Sequence, residues 1–312
     1  MDKLIILTGP TGVGKSDLSI KLAKQLDGEI ISADCMQIYK YMDIGTAKIT
    51  QEEMQGVKHH LIDCIDPAED FHVVRFQQLF KEAVADIYSR GKLPIVCGGT
   101  GFYIQAVLYD IHFSEMDIDE EYRNSLEKFA EQNGNEALHD MLKAVDEESA
   151  KAIPANNRKR VIRALEYHKQ TGQKISVHNK EEKLRTSPYN FAYFVLNDDR
   201  QVLYNRIDKR VDKMISAGLV EEVRKLVDMG YHRGQTSMDG IGYKEMLDYL
   251  EGRTSLEDTI NIIKQSSRRY AKRQLTWFRG QQGVHWLDRT LLTTDDMLLT
   301  EINRVLSEKG IT

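Results

Sequence analysis

Along the first hundred residues, apolar positions fall into short continuous runs: residues 3–8 around Leu4-Ile5-Ile6-Leu7, then 29–32, 60–64 and 93–97. Runs of this length read as strands buried on both faces. Between and after them the apolar spacing shifts to the helical period, at 15–26, 73–90 and 101–108. Strands alternating with helices predict an α/β fold with a parallel sheet. From about Ser114 the pattern becomes almost wholly helical and charged, with helices expected at 119–132, 135–145, 147–153 and 157–171. Strand character returns at 191–196 and 284–287, among helical segments at 200–217, 220–229, 243–250, 255–279 and 294–307. The expected organisation is therefore an α/β core, residues 1–113 and 191–312, interrupted by a helical insertion at 114–190. Residues 180–189 are the candidate linker.

The length of 312 residues fits about two domains of ~150 residues each. No apolar run approaches the ~18 residues of a membrane span, so no membrane partner and a cytoplasmic location are expected. Cys35, Cys64 and Cys97 form no C-x-x-C pair, which argues against a disulfide framework or a zinc site. The net charge of −5 taken alone argues against a nucleic-acid partner, but its distribution reverses that reading. Residues 115–150 hold 12 acidic and 3 basic residues, a local −9, which leaves the rest of the chain at +4. Positive charge gathers at Arg158, Lys159, Arg160 and Arg163, and again at 264–279, where six basic residues and three aromatics occur without an acidic one. On a helix, Lys264, Arg268 and Lys272 share a stripe and Arg269 and Arg273 its neighbour. Such a run is either a solvated face or an RNA-binding one.

Gly9-Pro10-Thr11-Gly12-Val13-Gly14-Lys15-Ser16 fits G-x-x-x-x-G-K-[ST] between a strand and a helix, which makes the core P-loop NTPase-like. Converging backbone N–H groups, the Lys15 charge and the helix dipole suit a diphosphate, and Ser16 is placed to ligate Mg²⁺ beside it. Asp34, at the end of the second strand, is either a turn aspartate or a general base. Thr100, after the run ending in Gly98-Gly99, is either a helix N-cap or a hydroxyl presented to the reacting atoms. A small-molecule or nucleotide kinase using ATP satisfies these features too.

Five motifs in order narrow the reading: residues 9–16, Ser-Ala-Asp-Cys-Met-Gln-Ile-Tyr at 32–39, Asp-Ile-Gly-Thr-Ala-Lys at 43–48, His-His-Leu-Ile-Asp at 59–63 and Gly-Gly-Thr-Gly-Phe-Tyr at 98–103. With the segments 157–166 and 240–245 they resemble the tRNA dimethylallyltransferases, or tRNA isopentenyltransferases, over nearly the whole chain and in the shorter bacterial form. The resemblance implies Mg²⁺-dependent transfer of a dimethylallyl group from dimethylallyl diphosphate to N6 of the adenosine 3′ of the anticodon. It makes Asp34 and Thr100 catalytic. An arginine for the leaving diphosphate is expected in Arg210, or else Arg206. The two lie at i and i+4, where they could equally be surface partners of Asp208 and Asp212. tRNA contacts are implied at Asp34, Cys35, Met36, Gln37, Arg123, Arg158, Lys159, Arg160, Val161, Ile162, Gly240, Ile241, Gly242, Tyr243, Lys244 and Glu245. To these the basic helix adds Arg269, Lys272, Arg273 and Arg279. A monomer is expected, with the insertion facing the anticodon stem-loop, and His59 and His60 are expected to be a hydrogen-bonded structural pair.

Overall fold

The computed structural model describes residues 1–113 and 119–312. β1 (Asp2–Thr8), β2 (Gly28–Ala33), β3 (His59–His60), β4 (Leu93–Gly98), β5 (Tyr189–Asn197) and β6 (Val284–Asp288) form one sheet in the order β3-β2-β4-β1-β5-β6. Every pairing is parallel. Central β1 lies between β4 and β5, and Leu4, Ile5, Ile6 and Leu7 are all buried, as its uninterrupted apolar run requires. Helices α1 (Lys15–Leu26), α2 (Val73–Ser89) and α3 (Gly101–Leu108) follow strands on the N-terminal side. The second half adds α8 (Arg200–Ser216), α9 (Leu219–Asp228), α10 (Tyr243–Leu250), α11 (Leu256–Arg279) and α12 (Asp295–Glu308). Leu18 and Leu22 of α1 and Leu298, Ile302 and Leu306 of α12 join Ile5, Leu7 and Phe194 of the sheet in one core. Each such side chain, fully buried, contributes about 1.5–3 kcal/mol.

The chain divides into two compact units, Met1–Leu108 with Pro188–Thr312, and Tyr109–Ser187. The expected boundary at 114 lies outside the described residues. In the second unit α4 (Glu120–Val145), α5 (Glu147–Ala152), α6 (Arg158–Thr171) and α7 (Ile175–Lys183) enclose their own core of Leu126, Leu138, Leu142, Val161, Ile162 and Leu165. The break expected between 132 and 135 is a kink in α4 at Gly134, whose φ of 87° is left-handed.

Two expectations need correction. The strand at 60–64 shrinks to His59–His60 because Leu61 and Asp63 take left-handed φ values of 62° and 55°. The linker expected at 180–189 begins inside α7. That helix buries only Ser176 on its own account and is fixed from a distance by Asp146, whose carboxylate accepts Ser176 N–H at 2.9 Å and Ser176 Oγ–H at 2.7 Å while also capping α5 through Ser149. Burial pushes the Asp146 pKa up, but these four hydrogen bonds outweigh it and hold the carboxylate at about 2.

Candidate active site

The loops leaving β1, β2 and β4 open at the carboxyl edge of the sheet, where parallel sheets bind ligands. They surround a cavity of about 530 Å³ that α8, α11 and residues 236–244 close from the other side. In the first loop, Gly14 has a φ of 89° and directly precedes α1, so the helix begins without a side-chain cap and its first N–H groups are left for an anion. Lys15 Nζ donates to the carbonyls of Gly9 (3.0 Å) and Pro10 (2.8 Å). Burial lowers its pKa to about 8, the proximity of Arg210 adds to that fall, and the Cys97 and Asp34 side chains oppose it. The cradle is thus a cationic site awaiting negative charge. Ser16 opens onto the same cavity.

Arg210 enters from α8. Its Nη1 donates to Thr11 Oγ1 at 3.2 Å and its Nη2 to the Thr46 carbonyl at 3.4 Å, and burial lowers its pKa. Arg206 instead pairs with Asp198 at 2.6 Å on the surface. The α8 carboxylates Asp208 and Asp212 pair instead with Arg268 (2.5 Å) and Lys264 (2.6 Å) of α11. Of the two arginines, Arg210 lines the cavity and Arg206 does not, and the i, i+4 stripe of Lys264 and Arg268 is spent on packing α11 to α8.

Asp34 both builds its turn and faces the cavity. Its Oδ1 accepts the Met36 N–H at 2.9 Å and the Gln37 N–H at 3.4 Å, which builds the turn, while among the described residues Oδ2 has no hydrogen-bond partner, and Asp34 lines the cavity. Thr100 sits beside the cavity rather than in its lining, and its hydroxyl accepts the Cys35 N–H at 3.2 Å, tying the β2 and β4 loops together. Burial, ahead of the neighbouring Asp34 charge, pushes the Cys35 thiol up to about 11, so it is not a thiolate at neutral pH.

The loop at 43–46 forms one rim. Glu222 accepts N–H groups from Asp43 (2.9 Å), Ile44 (2.7 Å) and Gly45 (3.0 Å) and the Tyr243 hydroxyl (2.7 Å). Gln37 Nε2 donates to the Thr46 and Ala47 carbonyls at 3.3 and 3.1 Å. Cys35, Met36, Gly240, Ile241, Gly242, Lys244 and Arg273 join Asp34, Gln37 and Tyr243 in the lining, so most of the residues expected in this unit do converge. Glu245 does not: it is buried, and its carboxylate accepts the Gly242 N–H at 2.8 Å, capping α10. On α11, Arg269, Lys272, Arg273 and Arg279 are exposed, beside Trp277, whose ring meets Phe102 edge-on at 6.2 Å. Sequence reasoning missed Thr46, Glu222, Tyr270 and Gln274. The last two share an inward α11 stripe with Ile263 and Ser267, which the spacing 263, 267, 270, 274 could have revealed.

In the second unit Lys159 and Arg160 are exposed. Val161 and Ile162 are buried in that unit's core, so direct tRNA contact by these two is corrected to support of the helix that carries the basic pair. Arg123 holds the fully buried Glu166 through two hydrogen bonds of 2.8 and 2.7 Å, and Arg158 pairs with Glu127 at 2.9 Å, so neither is a free cation. His59 and His60 do not pair with each other: His59 Nδ1 lies 2.9 Å from the Val57 carbonyl and His60 Nε2 2.7 Å from Glu29 Oε2. Among the described residues, Glu29, His60 and Asp86 alone cluster closely enough for a metal, but Arg90 already grips both carboxylates.

A family model described as IPP transferase matches residues 37–281. The chain is 57% identical to a tRNA dimethylallyltransferase of Lachnoclostridium phytofermentans, over all of this chain and 99% of that protein. The structure of the full-length tRNA isopentenylpyrophosphate transferase of Bacillus halodurans is 48% identical, with a TM-score of 0.74 over 99% of this chain and 97% of that one. A eukaryotic dimethylallyltransferase, described as acting on tRNA, is 32% identical with a TM-score of 0.83 over all of this chain and 80% of that one.

Proposed function

The chain belongs to the IPP transferase family and is a prenyltransferase acting on tRNA; on that premise we propose that it moves a dimethylallyl group from dimethylallyl diphosphate to N6 of the adenosine 3′ of the anticodon. One observation carries the finer reading: an anion cradle with two partly buried cations, Lys15 and Arg210, shares a single cavity with an aspartate whose second oxygen is uncommitted among the described residues. The exocyclic amine of adenine is a poor nucleophile because its lone pair is delocalised. As N6 bonds to C1 of the dimethylallyl group, the C1–O bond to diphosphate breaks, and the N6 proton passes to Asp34. Lys15 and Arg210 hold the charge that grows on the departing diphosphate. Thr100 fixes the backbone on either side of Asp34.

The donor set suits Mg²⁺. Ser16 would offer a hard hydroxyl ligand beside the cradle, with diphosphate oxygens and water as the remaining donors. The ion would neutralise leaving-group charge.

An adenine stacked in an anticodon loop cannot enter this cavity, so the base must be extruded, at a cost of a few kcal/mol. The exposed Arg269, Lys272, Arg273 and Arg279 with Trp277 offer phosphate contacts and an aromatic face for the unstacked loop. The exposed Lys159 and Arg160 are assigned to the same RNA. The reading includes a monomer working in the cytoplasm, where tRNA is.

The test is incubation with unmodified tRNA and labelled dimethylallyl diphosphate, with and without Mg²⁺. Label should enter tRNA as N6-dimethylallyladenosine only when Mg²⁺ is present. ATP-dependent phosphorylation without a prenyl donor would instead support a kinase.

A further inference from the structure

Gln274 occupies a position where an apolar side chain would be the ordinary choice. It lies on α11 between Ala271 and Phe278, both fully buried, and is itself 5% exposed. Burying a carboxamide is unfavourable unless its groups are paired, and here both are. Its Oε1 accepts the Thr11 N–H at 2.9 Å, and its Nε2 donates to the Gly99 carbonyl at 2.9 Å. The contact is possible only because residues 99 and 101 are glycines. A Cβ at Gly99 would lie 2.2 Å from Gln274 Nε2, and one at Gly101 2.2 Å from Trp277 Cδ1.

Building on the prenyl-transfer reading, we propose that Gln274 is a positioning residue that clasps the phosphate loop to the β4–α3 loop and so sets the distance between the leaving diphosphate and the aspartate side of the cavity. The hydrogen bonds continue on both sides. Thr11 Oγ1 accepts from Arg210, Arg210 and Gln37 both donate to the Thr46 carbonyl, and Gln37 N–H donates to Asp34 Oδ1. The amide thus links the β4 loop, α11, the phosphate loop, α8 and the Asp34 turn in one chain. Substrate is not touched: the side chain acts through Thr11 and Arg210. The glycines that the sequence pattern presents as a loop signal are, in this light, the seat for α11.

Steady-state kinetics on three full-length proteins test this. Gln274→Leu keeps the volume without either hydrogen bond and should lower kcat about 10- to 100-fold, the scale of a small misplacement of reacting groups, with KM for tRNA unchanged. Gln274→Glu should be comparably impaired at pH 8, where an ionised carboxylate faces the Gly99 carbonyl. Wild-type kcat in Gln274→Leu, or in Gln274→Glu at pH 8, overturns the clasp. Calorimetric titration with inorganic pyrophosphate adds a readout without turnover: Gln274→Leu should bind it more weakly, and equal affinity also counts against the clasp. Absence of prenyl transfer by the wild type would overturn the reaction assignment instead, and the pyrophosphate titration would still decide on Gln274.

Discussion

Replacing Lys15 with methionine should make the unliganded protein more stable while ending its response to diphosphate. Among the described residues the Lys15 ammonium has only the Gly9 and Pro10 carbonyls as hydrogen-bond partners, and burial brings its pKa from 10.5 to about 8. That gap corresponds to about 3 kcal/mol, and the solvent that reaches the cavity reduces it to on the order of 2 kcal/mol. Below pH 8 the group is charged in both native and unfolded chains, and the native state carries the whole penalty. Between pH 8 and 10.5 the native state sheds its proton first, so the unfolded state binds more protons and wild-type stability rises with pH. Lys15→Met lacks this contribution. Urea unfolding followed by the fluorescence of Trp277 and Trp286 at several pH values gives the difference between the two proteins, in which shared titrations cancel. The variant should be the more stable at pH 7, with an advantage that fades as pH climbs past 8. Inorganic pyrophosphate should raise the midpoint of the wild type alone. A variant no more stable than wild type at pH 7, or an advantage constant up to pH 10, would refute the view of Lys15 as an uncompensated charge held for an anion.

Three further outcomes follow from the geometry. Arg210→Ala should lower the single-turnover rate by about 10²–10³-fold, with Arg210→Lys recovering only part because an ammonium cannot span Thr11 and Thr46 as the guanidinium fork does; the surface-paired Arg206→Ala should match wild type. Glu222→Gln places an amide where four donors converge, and should raise KM for dimethylallyl diphosphate and lower stability by about 1–3 kcal/mol, read by kinetics and thermal unfolding. Arg269→Ser with Lys272→Ser should weaken tRNA binding and flatten its dependence on log salt by about 1–2 in slope, whereas an unchanged slope would remove α11 from the RNA interface.

Much of this was legible in the sequence, for identifiable reasons. Strands buried on both faces announce themselves as unbroken apolar runs, so β1, β2, β4 and β5 were found nearly to their ends. The phosphate loop is local in sequence and carries its own context. What escaped depends on contacts between distant residues. The Asp146 carboxylate that anchors α7 lies 30 positions before Ser176, and the left-handed Leu61 and Asp63 that cut β3 short leave no mark in hydropathy. Charge was misleading in detail for the same reason. A basic side chain reads alike whether it faces RNA or a carboxylate, so only the fold separates the exposed Arg269 and Lys272 from Arg268, Lys264, Arg123 and Arg158, which are bound to acidic partners. Gln274 and Glu222 hold backbone groups of loops remote in sequence, and no motif marks either one.

The central claim is that this cavity joins a prenyl diphosphate to an adenine whose proton leaves through Asp34. Asp34→Asn tests it most directly, because the amide can still accept the Met36 and Gln37 N–H bonds that shape the turn but cannot take a proton. Single-turnover transfer of labelled dimethylallyl to tRNA should be abolished in this variant while its tRNA affinity falls far less. Transfer at the wild-type rate would contradict the account.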